Sequence, residues 1–183
     1  MRSARCEVHG ASPARNVDMC YSIYLSTNSC EDLSQLKSEE FSLVRLPLSN
    51  ESDYLDEIDN SEEAQLLRLL SYSNNWYLSG KHGGCSCHFR HTEAGYHPTT
   101  KVTSMPYFSV PEDWSPEDPE EVESTVAFYD AIVQTLAAGH QVEILDAWTG
   151  TKPTRIRSIP VALSKVPREK FRFFNGFRFI LEA

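Results

Sequence analysis

Residues 80–91 read Gly-Lys-His-Gly-Gly-Cys-Ser-Cys-His-Phe-Arg-His, and His97 follows. Four of the six histidines and two of the five cysteines in the chain fall between positions 82 and 97, a density that draws the eye to thiolate and imidazole chemistry. Sulfur and ring nitrogen are the donors that zinc and other borderline metals take, so Cys85, Cys87, His82, His88, His91 and His97 form a candidate ligand set for zinc or iron. The spacing weakens that reading. Zinc knuckles put two residues between paired cysteines so that one tight turn aims both sulfurs at one ion, whereas Cys85 and Cys87 have only Ser86 between them. No second close pair exists, and a four-cysteine cluster would require Cys20 or Cys30 to fold in.

Backbone geometry separates the alternatives. In a regular strand over 85–91, Cys85, Cys87, Phe89 and His91 share one face while Ser86, His88 and Arg90 share the other. Cysteine is among the most buried residue types, so Cys85, Cys87 and Phe89 would then be a core-facing row. A metal site needs a bent turn instead. On the ligand face of the strand reading, the Gly83-Gly84 turn with His88 and Arg90 would hold a small molecule, with Arg90 as the anion contact. A cysteine enzyme could use Cys85, exposed after two glycines, with His82, His88 or His97 as base and Asp146 orienting it. The chain contains no serine nucleophile elbow, metalloprotease histidine pair or glycine-rich nucleotide loop.

These residues imply a small soluble binding or structural module without chemistry of its own. Its partner would be an unidentified small molecule or protein, a second copy of the chain (a homodimer) included. The alternative is a metal-binding protein, zinc or iron, or a cysteine-dependent enzyme drawing on residues 82–97. No cofactor is expected on the first reading, and zinc on the second.

The charge balance narrows the partners. Seventeen basic and twenty-six acidic residues give a net charge of −9, and the overall field repels phosphate backbones. Nucleic acid is therefore not expected as a partner. The block 151–183 runs the other way, with eight basic residues against Glu169 and Glu182, and is expected to dock on the acidic remainder. Seven acids between 51 and 63 lack the calcium-loop spacing and read as the solvated start of a helix. An odd cysteine count argues against a secreted disulfide scaffold, and no apolar run suits a signal peptide or a membrane span. A cytoplasmic location is the expectation, with no membrane partner.

The elements that must position these groups are legible in part. Residues 1–18 lack periodicity and are expected to be a disordered tail ahead of a single domain over 19–183. Met19 to Ser26 alternates as a strand with Tyr21, Ile23 and Leu25 on one face. A short helix carries Leu33 and Leu36, a strand spans Phe41 to Leu46, and a capped helix carries Leu66, Leu67 and Leu70. Trp76-Tyr77-Leu78 opens an extended segment that resumes as the strand Cys85 to His91. The stretch 92–114 is a long polar excursion, with a strand at Tyr107-Phe108. Asp118, Pro119 and Glu121 start a helix that Gly139 ends, and its repeat of Val122, Val126, Tyr129, Val133 and Leu136 predicts the core stripe, broadened by Phe128 and Ile132. A strand covers 141–148. Asn175-Gly176 predicts a tight C-terminal β-hairpin between 170–174 and 177–181. Together these predict an α+β domain: a two-layer sandwich with a mixed or largely antiparallel sheet covered by helices on one face.

Overall fold

A computed structural model of the chain describes residues 20–36, 38–46, 62–81, 84–92, 118–148 and 150–183. Expectations for residues 1–18, for a strand at Tyr107-Phe108 and for the 92–114 excursion beyond Thr92 lie outside these. Six strands form one mixed sheet: β1 (Tyr21–Thr27), β2 (Phe41–Arg45), β3 (Asn74–Gly80), β5 (Val142–Trp148), β6 (Arg157–Ala162) and β8 (Phe177–Glu182), in the order β2-β3-β1-β5-β8-β6. All neighbours are antiparallel except β6 and β8. Two further short strands, β4 (His91–Thr92) and β7 (Phe173–Phe174), pair in parallel beside it. Among the described residues the α-helices are α1 (Glu62–Leu67) and α2 (Pro119–Ala137).

Alternation along β1 behaves as its sequence predicts. Ile23 and Leu25 enter a large core with Leu78, Ile144, Phe128 and Phe173. Tyr24, on the opposite side, packs in a smaller cluster with Leu66, Leu70, Leu145 and Ala147. Both faces of the sheet are therefore covered, α2 lying on one and α1 on the other. The arrangement is an α+β fold dominated by its sheet, and it corrects the expected two layers with helices on a single face. The reason is β5, whose first six residues are all buried, as befits a central strand packed from both sides.

Helix α2 starts where its signals place it. Asp118 accepts from the Glu120 N–H at 3.0 Å with Pro119 in the first turn, and Gly139 takes the left-handed exit at φ 84°. Its buried face includes the predicted Leu136, Phe128 and Ile132 but is rotated away from the predicted valines. Thr125, Phe128, Ile132 and Leu136 point inward, whereas Val133 is 40% exposed and Val122 and Val126 are half-buried. Phe128 decides the rotation: its ring meets Phe41, Phe89 and Phe173 edge-on or tilted, with centroids 5.5, 6.2 and 5.8 Å away. Buried Ser124 and Ala131 are small enough to let the helix approach that cluster.

The C-terminal strands are present, but they are not the two arms of a hairpin. Asn175-Gly176 does turn, with Gly176 at φ 81°. Beyond it β8 is flanked by β5 and β6, while β7 pairs with β4. Asn175 is used as a cap: its Oδ1 accepts from the Trp148 N–H at 3.0 Å, and the Gly176 N–H donates to the Asp146 carbonyl at 2.9 Å. Strand β6, which no sequence signal picks out, occupies the sheet edge that the first arm would have taken. Pro160 and exposed Arg157 on it discourage further pairing. The basic block docks on acids as expected, Arg168 forking onto Asp130 at 2.7 and 2.5 Å and Arg178 lying 3.8 Å from Glu143. No helix among the described residues is long and apolar enough to cross a membrane.

The rotated face of α2 is open to a direct check. Phe128→Ala should lower stability by about 3–5 kcal/mol in denaturant unfolding, and Val133→Ala by less than about 0.5 kcal/mol. Comparable losses at the two positions would restore the stripe that the valines suggest.

Candidate functional site

The site forms where β1 and β3 part. Their register runs from Thr27–Asn74 to Ile23–Leu78, with Tyr21 and Ser22 lying past its last pair. Residues 84–87 wedge into this gap. The Gly80 N–H donates to the Cys85 carbonyl at 3.3 Å, and the Ser86 N–H donates to the Tyr21 carbonyl at 3.1 Å. Ser86, fully buried, bridges the last rung with its hydroxyl, accepting from the Ile23 N–H at 3.0 Å and donating to the Leu78 carbonyl at 2.5 Å. A serine hydroxyl can do both, which is what two splayed strands require of one side chain.

The 84–91 segment is consequently a chain of bends and turns, with only His91 and Thr92 extended, and not the regular strand that alternation suggests. Gly84 enters it at φ 85°, a conformation that suits glycine. Gly80 is needed for another reason: a Cβ there would lie 2.9 Å from the His88 Cβ, so only glycine lets His88 pack over the end of β3. Sequence reasoning singled out Gly83-Gly84 and passed over Gly80, because a close approach leaves no signature in local sequence. His82, Gly83 and His97 lie outside the described residues.

With Ser86 turned into the sheet, Cys85 and Cys87 flank it and meet Cys20, the residue just before β1. The three sulfurs lie within 4.8 Å of one another, and all three residues are half-buried. Thiolates at about 2.3 Å from a zinc ion stand roughly 3.8 Å apart, so this spread suits a single ion after small side-chain adjustments. The Tyr21 N–H points at Cys87 Sγ at 3.4 Å, a donor of the kind that steadies a thiolate ligand. A hydrogen bond with Cys85 and then burial push the Cys87 thiol far above the ordinary thiol range, because both favour its protonated form. Cys30 is exposed and stands apart from the cluster.

Among the described residues, His88 and His91 do not join the sulfurs. His91 engages Asp146 Oδ2 through Nδ1 at 3.0 Å and the Ser86 carbonyl through Nε2 at 2.7 Å, leaving neither ring nitrogen for a metal. His88 packs over Gly80. Asp146 does orient a histidine, His91, which the expectation did not name for that role. Arg90, expected at a ligand face, is buried; its Nη1 donates to the Glu169 and Phe171 carbonyls at 2.6 and 3.1 Å, and its N–H donates to Thr125 Oγ1 at 2.9 Å. It ties the loop to the C-terminal segment and is not presented to an anion in solution. On the α1 side of the sheet, Ser22, Tyr24, Glu63, Trp148 and Thr151 line a recess of about 270 Å³. Tyr24 donates to Glu63 at 3.1 Å there, and burial holds its phenol above the ordinary range.

Ser86→Ala would leave the Ile23 N–H and Leu78 carbonyl without their bridge, a loss of about 1–3 kcal/mol for buried backbone groups. Amide exchange at Ile23 should rise in step with the stability loss. Unchanged exchange there would show that the wedge does not hold the strand ends. The chain matches no family model, no curated protein and no solved structure.

Proposed function

We propose that the protein is a small binding module whose ligand is a thiophilic metal ion, held by Cys20, Cys85 and Cys87. The observation that carries this reading is the convergence of three sulfurs from two separated segments within 4.8 Å. The bent course of 84–87, which the metal reading requires, supports it further. Three thiolates are a soft donor set that favours zinc and copper(I) over magnesium or calcium. Zinc would take a fourth donor, a solvent molecule included, in keeping with the half-buried position of the sulfurs.

Cysteine catalysis is less well supported. That reading needs Cys85 with His82, His88 or His97 as base and Asp146 orienting it; Asp146 is engaged by His91, His88 packs over Gly80, and His82 and His97 lie outside the described residues. A metal ion would instead displace the thiol protons and bind the sulfurs as thiolates.

Elemental analysis of untagged protein should find close to one zinc or copper per chain. Cys20→Ser and the Cys85→Ser, Cys87→Ser double variant should each lose it, and Cys30→Ser should keep it. Metal below a tenth of an equivalent, with melting unmoved by added zinc and by chelator, would overturn the proposal. A site saturated at a hundred times its dissociation constant would add about 2.7 kcal/mol of stability. Because each ligand must shed its proton and the Cys87 thiol holds its own tightly, apparent affinity should climb as pH rises through neutrality and fall away in acid. A pH-independent affinity would speak against thiolate ligation.

A further inference from the structure

We infer that Asp146 and His91 are positioning residues for the three-sulfur site, acting through the Ser86 carbonyl; this rests on the metal-thiolate reading above. Their side chains are among the least exposed polar groups near the loop, 5% for His91 and 2% for Asp146. The carbonyl of Ser86 can only accept, so His91 Nε2 carries a hydrogen and donates it there at 2.7 Å. On the other side of the ring, Nδ1 shares a hydrogen with Asp146 Oδ2 at 3.0 Å. Asp146 in turn is fixed on the central strand β5, between Ile23 of β1 and Phe177 of β8.

The carbonyl that His91 grips belongs to the peptide joining Ser86 to Cys87. Holding its oxygen fixes the plane of that peptide and so the direction in which Cys87 leaves the backbone relative to Cys85. The same imidazole stacks on Tyr21 at 3.8 Å, nearly parallel at 10°. Tyr21 is the residue after Cys20, and its N–H is the one aimed at Cys87 Sγ. One buried ring therefore braces both chain segments that supply sulfur. Outer-shell partners of this kind commonly change metal affinity by about 10–100-fold when removed.

The test compares wild type with His91→Phe, which keeps an aromatic ring against Tyr21 but loses both hydrogen bonds. The double variant His91→Phe, Asp146→Leu avoids stranding a buried carboxylate, and Asp146→Asn is the conservative control, since its side-chain amide can still hydrogen-bond Nδ1, its NH2 donating when the ring hydrogen is on Nε2. Two readouts are taken: cobalt(II) affinity by chelator competition, with the sulfur-to-cobalt charge-transfer band, and the alkylation rate of Cys87 relative to Cys30 in metal-free protein. The double variant should bind cobalt about 10–100-fold more weakly with an altered band. Its Cys87-to-Cys30 alkylation ratio should rise roughly tenfold, as expected when one hydrogen bond holding a loop closed is lost. Asp146→Asn should stay within about threefold of wild type on both, because it retains a hydrogen-bond partner for Nδ1. A double variant that melts earlier yet keeps both cobalt affinity and alkylation ratio would overturn the inference and leave the pair as packing. If wild type itself takes up no cobalt while the alkylation ratio still rises, the metal reading fails and the positioning of Cys87 stands.

Discussion

The end of the β1–β3 ladder sets the constraint on which the rest of the site depends. Past Ile23 and Leu78 the strands separate, and every backbone N–H and carbonyl exposed by that separation needs a partner or loses free energy. Residues 84–87 meet the demand with two backbone hydrogen bonds and one serine hydroxyl. Once Ser86 is turned into the gap, Cys85 and Cys87 are brought to the place where Cys20 enters β1. The sulfur cluster follows from how a splayed sheet end is satisfied, and its members need no motif of their own in sequence.

Two other anchors keep the wedge from slipping. Arg90 is buried against the carbonyls at 169 and 171, and its own carbonyl accepts from the Phe173 N–H at 2.8 Å, which begins the parallel pairing of β4 with β7. Phe89 lies 1% exposed between Phe128 of α2 and Phe173 of β7. The loop is thus held by polar contacts on the sheet side and by aromatic packing on the helix side. This also explains why the first arm of the anticipated hairpin leaves the sheet: Phe171, Phe173 and Phe174 are all fully or almost fully buried around that loop, and pairing them with β8 would remove the floor on which Phe89 rests.

Much of the fold was legible where a signal is local. The alternation of β1, the caps of α2 and the turn at Gly176 each follow from a few neighbouring residues, and each is found in place. What escaped was set by distant partners. The valines of α2 have the right period, yet the inward face is chosen by where Phe41, Phe89 and Phe173 gather, positions 87, 39 and 45 residues away from Phe128 in the chain. Asn175-Gly176 specifies a turn and says nothing of which strand lies beside it. At the site, Cys85 and Cys87 stood out by type, but Cys20 joins them only through the register of β1, and Asp146 reaches His91 only because β5 neighbours β1. Gly80 was invisible for the same reason.

The distribution of burial along 85–91 argues against the simplest account of the cysteines as core residues. A core-facing row would bury Cys85, Cys87 and Phe89 alike, since thiols pack as small apolar groups. Phe89 alone is taken into the core, while both cysteines remain half-buried beside a third. Hydrophobic packing gains little from three thiols left partly in water, and their crowding makes ionisation of the set harder. Three neutral thiols side by side have no charges in conflict; what sets them apart from core residues is that they are partly open to solvent and close enough together for one ion to reach all three. The convergence of three half-buried sulfurs from two separated segments is thus the strongest reason to look for an ion that all three could hold.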